Sequence, residues 1–356
     1  GGRVSSLWIG TFPPAGAGTT PGQGEGIWHA SFVDGEVRDL RLVVEAPAPT
    51  FLAAHPNGRW LYANVEQGEG LVTAFEIADD GGRPTLIPRA TVSSGGADPC
   101  HLALSPDARH LYVANYSSGT LAVIALDAEG AFSRRRPKQI LGFEGTGPDP
   151  ERQEGPHAHF VAVPSANEVV VVDLGTDVLR HYAVGVESTL EPPDALELVG
   201  LTKLPPGTGP RHLAISPDER YWYVVGELDA TLHVLERTSE GLVPKQVLSL
   251  AGEGAERREH GWYVEDGRLL TSHVELVGDR LWLGMRQDNR LDELAVLPDG
   301  TVQPIASHPL AGWPRHFAVV GESVLVAGQT SHAIEIVSGG TRTEVPLPAA
   351  ACVVVV

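Results

Sequence analysis

The chain has 356 residues, a formal net charge of −19 and 20% charged side chains. Such acidity speaks against nucleic acid and anionic membrane surfaces as partners, because both are bound through a positive footprint. No run of about 18 apolar residues offers a membrane-spanning helix, and two cysteines, Cys100 and Cys352, are too few for a disulfide framework.

The opening stretch, GGRVSSLWIGTF, lacks a basic region followed by an apolar core, so no secretory signal is expected in it. Two reduced, buried thiols make the cytoplasm the expected compartment. From here one pattern recurs along the chain. Short apolar strands are expected at LWIGTF (7–12), LYANVE (61–66), LYVANY (111–116), VVVVDL (169–174), WYVVGE (222–227), LWLGMR (281–286) and VLVAGQ (324–329). They lie roughly 43–59 residues apart, the spacing of a repeat.

The third copy shows the unit most clearly. HLALS is one strand, Pro106-Asp107 its turn, HLYVANY the second strand, TLAVIALD the third, and AFSRRR the start of a fourth. Pro56, Pro106, Pro164 and Pro217 each sit five residues before a second strand, which sets one hairpin length and one side-chain register. About 50 residues carrying four antiparallel strands is the size of a propeller blade. The expectation is therefore an all-β, seven-bladed β-propeller occupying residues 1–356 as a single domain. Two stacked β-sandwiches would not hold so constant a four-strand period. The first copy has no strand ahead of it, and the terminal PAAACVVVV has no partner of its own. The C-terminal strand is expected to complete blade one and remove the open edge.

Against this constant body, two columns change residue type. One ends each second strand: Phe12, Glu66, Tyr116, Leu174, Glu227, Arg286 and Gln329. The other enters the first strand: Thr50, Cys100, Arg211 and Arg315. Blade four, GPHAHFVAV, has a shorter hairpin, and either His159 or His157 falls in this column, with His159 favoured. Antiparallel pairing puts an entrance beside an exit, so both columns are expected at one end of the blades. His159, Arg211, Glu227, Arg286 and Arg315 would then meet, with Glu66 and Tyr116 alongside.

Each has a plainer reading. Arg211 and Glu227 also read as a structural ion pair. His101, His212 and His316 follow the variable position in three copies, which suits a repeated structural hydrogen bond. The glycine-rich PPAGAGTTPGQGEG (13–26) precedes no helix, so it is read as a loop and not a phosphate cradle. SRRRPK (133–138) reads as a solvated loop. REHGW (258–262) lacks metal-ligand spacing, and no metal or cofactor is expected.

The stretches PTFLAAHPNGRWLYANVE, DPCHLALSPDARHLYVANY, GPHAHFVAV with VVDLGTD, GPRHLAISPDERYWYVVGE and WPRHFAV resemble the lactonase family of seven-bladed propellers. That family includes 6-phosphogluconolactonases and 3-carboxy-cis,cis-muconate lactonizing enzymes. The resemblance runs from blade two to blade seven. It implies a site built from His159 (or His157), Arg211, Glu227 and Arg286 as catalytic residues. His101, His212, Arg315, Glu66 and Tyr116 stand beside them as substrate contacts. Two departures stand out: the family's Asn-Glu is Gly226-Glu227 here, and the blade-six entrance lacks the Ser-Pro-Asp turn.

The implied reaction is hydrolysis of a small anionic lactone, 6-phosphogluconolactone first, by a monomer. The arginines would clamp phosphate or polarise the carbonyl, and neutral imidazole would take a proton from water. Cycloisomerisation of a carboxylated muconate makes the same demands. A non-catalytic propeller that binds a protein partner is the reading from another class.

Overall fold

The computed structural model describes residues 3–12, 26–185 and 195–356. The glycine-rich segment 13–25 lies outside them. Every regular element among the described residues is a β-strand. Seven four-stranded antiparallel sheets form, each from consecutive strands with one exception. In blade one the C-terminal strand Ala350–Val355 pairs with Ser5–Thr11, as the unpartnered apolar run predicted. The fold is a seven-bladed β-propeller.

Burial grades across each blade. Second strands such as Trp60–Val65, Tyr221–Gly226 and Ser323–Gly328 are buried at every position. A strand with partners on both edges and neighbours on both faces reads as continuous apolar sequence. Fourth strands such as Val302–Pro309 and Thr341–Pro346 are largely exposed.

The repeated Ser-Pro-Asp is a side-chain lock on the first hairpin. Ser105 Oγ donates to Asp107 Oδ1 at 2.6 Å and accepts from the His110 amide at 3.0 Å, while Asp107 accepts from the Arg109 amide at 3.1 Å. Blade five repeats it: Ser216 Oγ to Asp218 Oδ1 at 2.6 Å, the Tyr221 amide to Ser216 Oγ at 2.9 Å, and the Arg220 amide to Asp218 at 3.1 Å. Ala108 and Glu219 take the left-handed conformation that each turn demands. Blade six turns at Gly278 instead, with φ of 60°.

Contacts divide the chain into two compact units, residues 1–142 with 316–356, and residues 143–315. In the first, Trp60, Tyr62, Leu111 and Val113 belong to one core cluster, and Leu7, Ile9, Leu325 and Ile334 to another. In the second, Tyr223, Leu232, Leu283 and Met285 form the largest cluster. Tyrosine hydroxyls tie adjacent blades within each unit: Tyr62 to the Gly130 carbonyl at 2.5 Å and Tyr223 to the Gly300 carbonyl at 2.8 Å. Both glycines are obligatory, since a Cβ at Gly300 would stand 2.4 Å from the Tyr221 ring and one at Gly130 would stand 2.7 Å from Trp60.

Two expectations need correction. The fourth strand of blade three is Gln139–Gly142, not AFSRRR; only an isolated bridge joins Leu126 to Phe132. Asp127 Oδ1 gathers the amides of Glu129, Gly130 and Ala131 into a turn, and the exposed arginines with Pro137 then carry the chain outward as a loop. A three-stranded hairpin sheet, Glu256–Arg257, Trp262–Val264 and Gly267–Arg268, also precedes the first strand of blade six. The repeat gave no sign of it, because its strands are two or three residues long.

Candidate active site

A bulge recurs at one place in the first strands. Pairing with the second strand slips between Pro99 and His101, Ala158 and Phe160, Pro210 and Leu213, and Thr271 and Val274. Bulges re-aim side chains and cluster beside active sites. The residues inside the slips include Cys100, His159, Arg211 and Ser272, so in blades three, four and five the variable entrance residue sits in a bulge, and blade six bulges at the same place. The residue after each packs its ring on the next: Phe160 on His212 at 4.8 Å between centroids, His212 on His273 at 5.1 Å and, in the other unit, Phe51 on His101 at 4.5 Å. Phe160 thus matches His212, and His159 matches Arg211. His157 instead meets Glu154, with Nε2 2.6 Å from Oε1.

Within residues 143–315 the structure brings His159, Arg211, Glu227 and Arg286 together, joined by an arginine that the repeat columns did not contain. Glu227, the residue directly after the second strand of blade five, is the centre. Arg211 Nε lies 3.6 Å from its Oε1, Arg286 Nη2 donates to the same oxygen, and Arg152 Nη2 donates to Oε2 at 2.8 Å. Burial pushes the Glu227 carboxyl up, but Arg152, Arg286 and Arg211 outweigh it and hold it well below the usual carboxylate range. Burial first, then the Arg211 charge, holds the His159 imidazole well below its ordinary range. Arg315 adds its charge to both His159 and Arg286. The site therefore holds a neutral imidazole beside fixed cations.

The altered blade-six entrance anchors both arginines. Arg211 Nη1 donates to the Ser272 carbonyl and Arg286 Nη2 to the Thr271 carbonyl, the latter at 2.8 Å. Arg286 also lies over the Trp313 ring, 5.6 Å from its centroid. Its Nε is buried with no hydrogen-bond partner among the described residues, as is Thr271 Oγ1. His212 Nδ1 stands 2.8 Å from His273 Nδ1, and burial, then Arg211, pushes His273 down to about 3. Gly226 departs from the family's asparagine for a visible reason: a Cβ there would lie 2.4 Å from both Asp229 Oδ1 and Thr231 Oγ1.

Arg152 comes from the irregular segment 143–157. Asp149 Oδ1 accepts the amides of Glu151 and Arg152 at 3.1 and 3.2 Å, and Gln153, wholly buried, donates to the Leu174 carbonyl at 2.9 Å and to Asp177 at 2.8 Å. The hairpin sheet adds a second tie: Arg268 pairs with Asp149 Oδ2 at 2.8 Å and donates to the Leu228 carbonyl at 2.9 Å. REHGW lies in that hairpin, and among the described residues no group of three or more His, Cys, Asp or Glu is placed to hold a metal ion.

The other named residues belong to the unit of residues 1–142 and 316–356. The Glu66 amide donates to the Ala48 carbonyl at 3.2 Å and the Tyr116 amide to the Asp98 carbonyl at 3.0 Å. Thr50 accepts from Asn64 Nδ2 at 2.8 Å. His316 accepts the Val353 amide at 3.1 Å, and its ring, like that of His101, packs on Phe51.

Comparison with known proteins agrees with this architecture. Residues 6–350 match the family model described as Lactonase, 7-bladed beta-propeller. Over 224 residues the chain is 34% identical to a 6-phosphogluconolactonase of Bacillus subtilis (strain 168), a match covering 61% of this chain and 60% of that protein. It is 26% identical over 327 residues to a 6-phosphogluconolactonase of Formosa agariphila, covering 89% and 88% of the two. Among solved structures, a periplasmic gluconolactonase of Pseudomonas aeruginosa is 26% identical with a TM-score of 0.84, over 99% of each chain.

Proposed function

Since the chain belongs to the family of seven-bladed β-propeller lactonases, we propose that it hydrolyses a sugar-acid lactone, with 6-phosphogluconolactone as the first substrate. The observation that carries this reading is a neutral, buried His159 beside Arg211 and Arg286, both fixed on Glu227. The relatives named 6-phosphogluconolactonase and gluconolactonase support the same substrate class.

In the proposed reaction His159 takes a proton from water, and the hydroxide adds to the lactone carbonyl carbon. Arg286 and Arg211 stabilise the oxyanion that forms; fixed donors of this kind are worth about 2.7–4 kcal/mol each. Collapse of the tetrahedral species breaks the bond to the ring oxygen, and the imidazolium returns its proton to the departing alkoxide. The depressed affinity of His159 for protons makes it a modest base but a strong acid in this second step. Glu227 positions the guanidinium groups and keeps them charged. Arg315 adds to the field, and the buried His212 sets the orientation of Arg211 at 3.4 Å.

We read residues 1–356 as one propeller domain acting as a monomer, without nucleic-acid or membrane partners, in keeping with the net charge of −19. No helix of the described residues is long and apolar enough to cross a membrane. Cys100 and Cys352 are buried and outside any disulfide among the described residues, which favours a reducing cytoplasm, although the Pseudomonas relative is named as periplasmic.

Freshly generated 6-phosphoglucono-δ-lactone provides the test. Its decay should accelerate with wild-type protein and return nearly to the spontaneous rate with His159→Ala or Arg211→Ala. Wild-type decay at the spontaneous rate overturns the reading. Turnover of a carboxymuconate in its place would instead indicate cycloisomerisation.

A further inference from the structure

One backbone conformation recurs where the chain enters a blade. Ala349 in blade one, Ala48 in two, Asp98 in three, Gly209 in five and Trp313 in seven are all left-handed, with φ between 47° and 58°. The backbone itself explains the recurrence. The carbonyls of Ala349, Ala48, Asp98 and Gly209 accept the amides of Phe12, Glu66, Tyr116 and Glu227 at 2.8–3.2 Å. That duty needs no side chain, and these blades fill the position with alanine, aspartate or glycine. Blade seven fills it with tryptophan at φ of 47°, where a bulky residue is strained. Strain of this kind gathers at ligand clamps and active sites, held in place by its surroundings.

The surroundings of Trp313 are built to hold it at the site. Asn289, itself left-handed with φ of 53°, accepts the Trp313 amide on Oδ1 at 2.7 Å and the Leu310 amide on its carbonyl at 2.9 Å. Ser272 Oγ donates to the Pro314 carbonyl at 2.6 Å, and the Ser272 carbonyl accepts from Arg211. The indole so placed lies against the Arg286 guanidinium, whose central carbon is 5.6 Å from the ring centroid. Trp8, Trp60 and Trp222 are buried in core clusters, whereas Trp313 stays partly exposed. A flat apolar ring, partly open to solvent, thus borders an arginine assigned to the carbonyl oxygen.

That juxtaposition fits a ligand with a saturated ring beside its carbonyl. A sugar lactone shows C–H bonds along one ring face and the carbonyl oxygen at its rim. An indole packs well on such a face, because apolar area leaves water and the negative π face attracts polarised C–H bonds. Resting on the lactonase reading above, we propose that Trp313 is a substrate-binding residue, packing its indole on the C–H face of the lactone ring while Arg286 meets the carbonyl oxygen. Trp313 fixes the ring, and the arginines serve the charge.

The test uses Trp313→Gly and Trp313→Phe. Glycine restores the residue of blade five and removes both ring and strain; phenylalanine keeps a smaller ring. With 6-phosphoglucono-δ-lactone and with glucono-δ-lactone, the glycine variant should raise KM by about tenfold, the loss expected for one stacked aromatic ring, and change kcat far less. Phenylalanine should recover part of that loss. Gluconate, the product of the uncharged lactone, should change the tryptophan fluorescence of wild type, and Trp313→Phe should lose this response. Circular dichroism melts check folding; if the glycine variant fails to fold, the phenylalanine variant carries the comparison. A wild-type KM in Trp313→Gly overturns the proposal. A loss confined to kcat also overturns it and makes Trp313 a support for Arg286. So does a gluconate response that is absent from wild type or undiminished in Trp313→Phe. A wild type inactive on both lactones defeats the lactonase reading itself, and the gluconate titration then decides on Trp313 alone.

Discussion

Arg211 lies on the first strand of blade five and Glu227 directly follows the second, with Nε and Oε1 3.6 Å apart, and both are almost completely buried. Arg286 reaches the same carboxylate from the next blade. Glu227→Gln would leave these cations without their counter-charge. Breaking a buried ion pair on one side costs about 3–5 kcal/mol. A urea titration should show a loss of that order, with an unchanged slope. A loss below about 1 kcal/mol would mean that solvent already screens the cluster.

Stability should depend on pH through buried imidazoles. Burial, with Arg41 second, pushes His29 down to about 4, burial alone does the same for His233, and burial then Arg211 takes His273 to about 3. His159 moves in the same direction. In the unfolded chain these groups take protons near pH 6.5, well before the folded protein does. The unfolded state therefore binds more protons below that pH, and stability falls as pH drops from about 6.5 toward 3. Each group contributes at most about 1.4 kcal/mol per pH unit in its window. Glu227 adds to the loss below its ordinary value near 4.5. Unfolding free energies that stay level from pH 7 to pH 5 would contradict this.

The same burial of His159 sets the acid limb of activity. After subtraction of spontaneous hydrolysis, kcat/KM should show no inflection near 6.5 and should persist below it, because the base stays deprotonated there. His159→Gln should lose far more activity than His157→Gln, whose imidazole lies on Glu154. An inflection at the ordinary imidazole value that disappears with His157→Gln would reverse the assignment.

Arg286→Ala should lower kcat by about 10²–10³-fold, the loss typical of one oxyanion donor. KM for an uncharged lactone should change much less. A variant that alters KM alone would place Arg286 in ground-state binding.

The loop carrying Arg152 depends on a glycine. A Cβ at Gly175 would stand 1.8 Å from the Gly155 carbonyl oxygen. Gly175→Ala should destabilise by about 1–3 kcal/mol, the usual range for overpacking, and should lower kcat/KM by displacing residues 155–157, which lead into His159. Gly252→Ala, where a Cβ meets nothing within 4 Å, is the control.

The repeat made much of this legible. Strand ends in register identify Glu227 and Arg286, and the shared Pro-x-His identifies Arg211, because a blade preserves its geometry while its edge residues vary. The closing strand was legible for a similar reason: an apolar run without a partner matched a first copy without one. The ambiguity between His157 and His159 was local, since sequence does not say where a shortened hairpin loses its residue; the bulge between Ala158 and Phe160 does. Arg152 escaped notice because it lies in an irregular segment belonging to no column. The signal was the RQ of PDPERQEG, which acquires meaning only when Gln153 is seen buried against Asp177. The hairpin at 256–268 and the late fourth strand of blade three escaped for the converse reason: both depend on turns and loops that follow no period.

The pairing of Ser5–Thr11 with Ala350–Val355 bears on biosynthesis. Residue 7 meets residue 355, so the nascent chain leaves the ribosome with one strand of its first sheet lacking its final neighbour until translation has passed almost every other blade. During that interval the exposed edge is a natural target for holding chaperones. Ribosome stalling late in the message should therefore yield protease-sensitive products, however well their middle blades have formed.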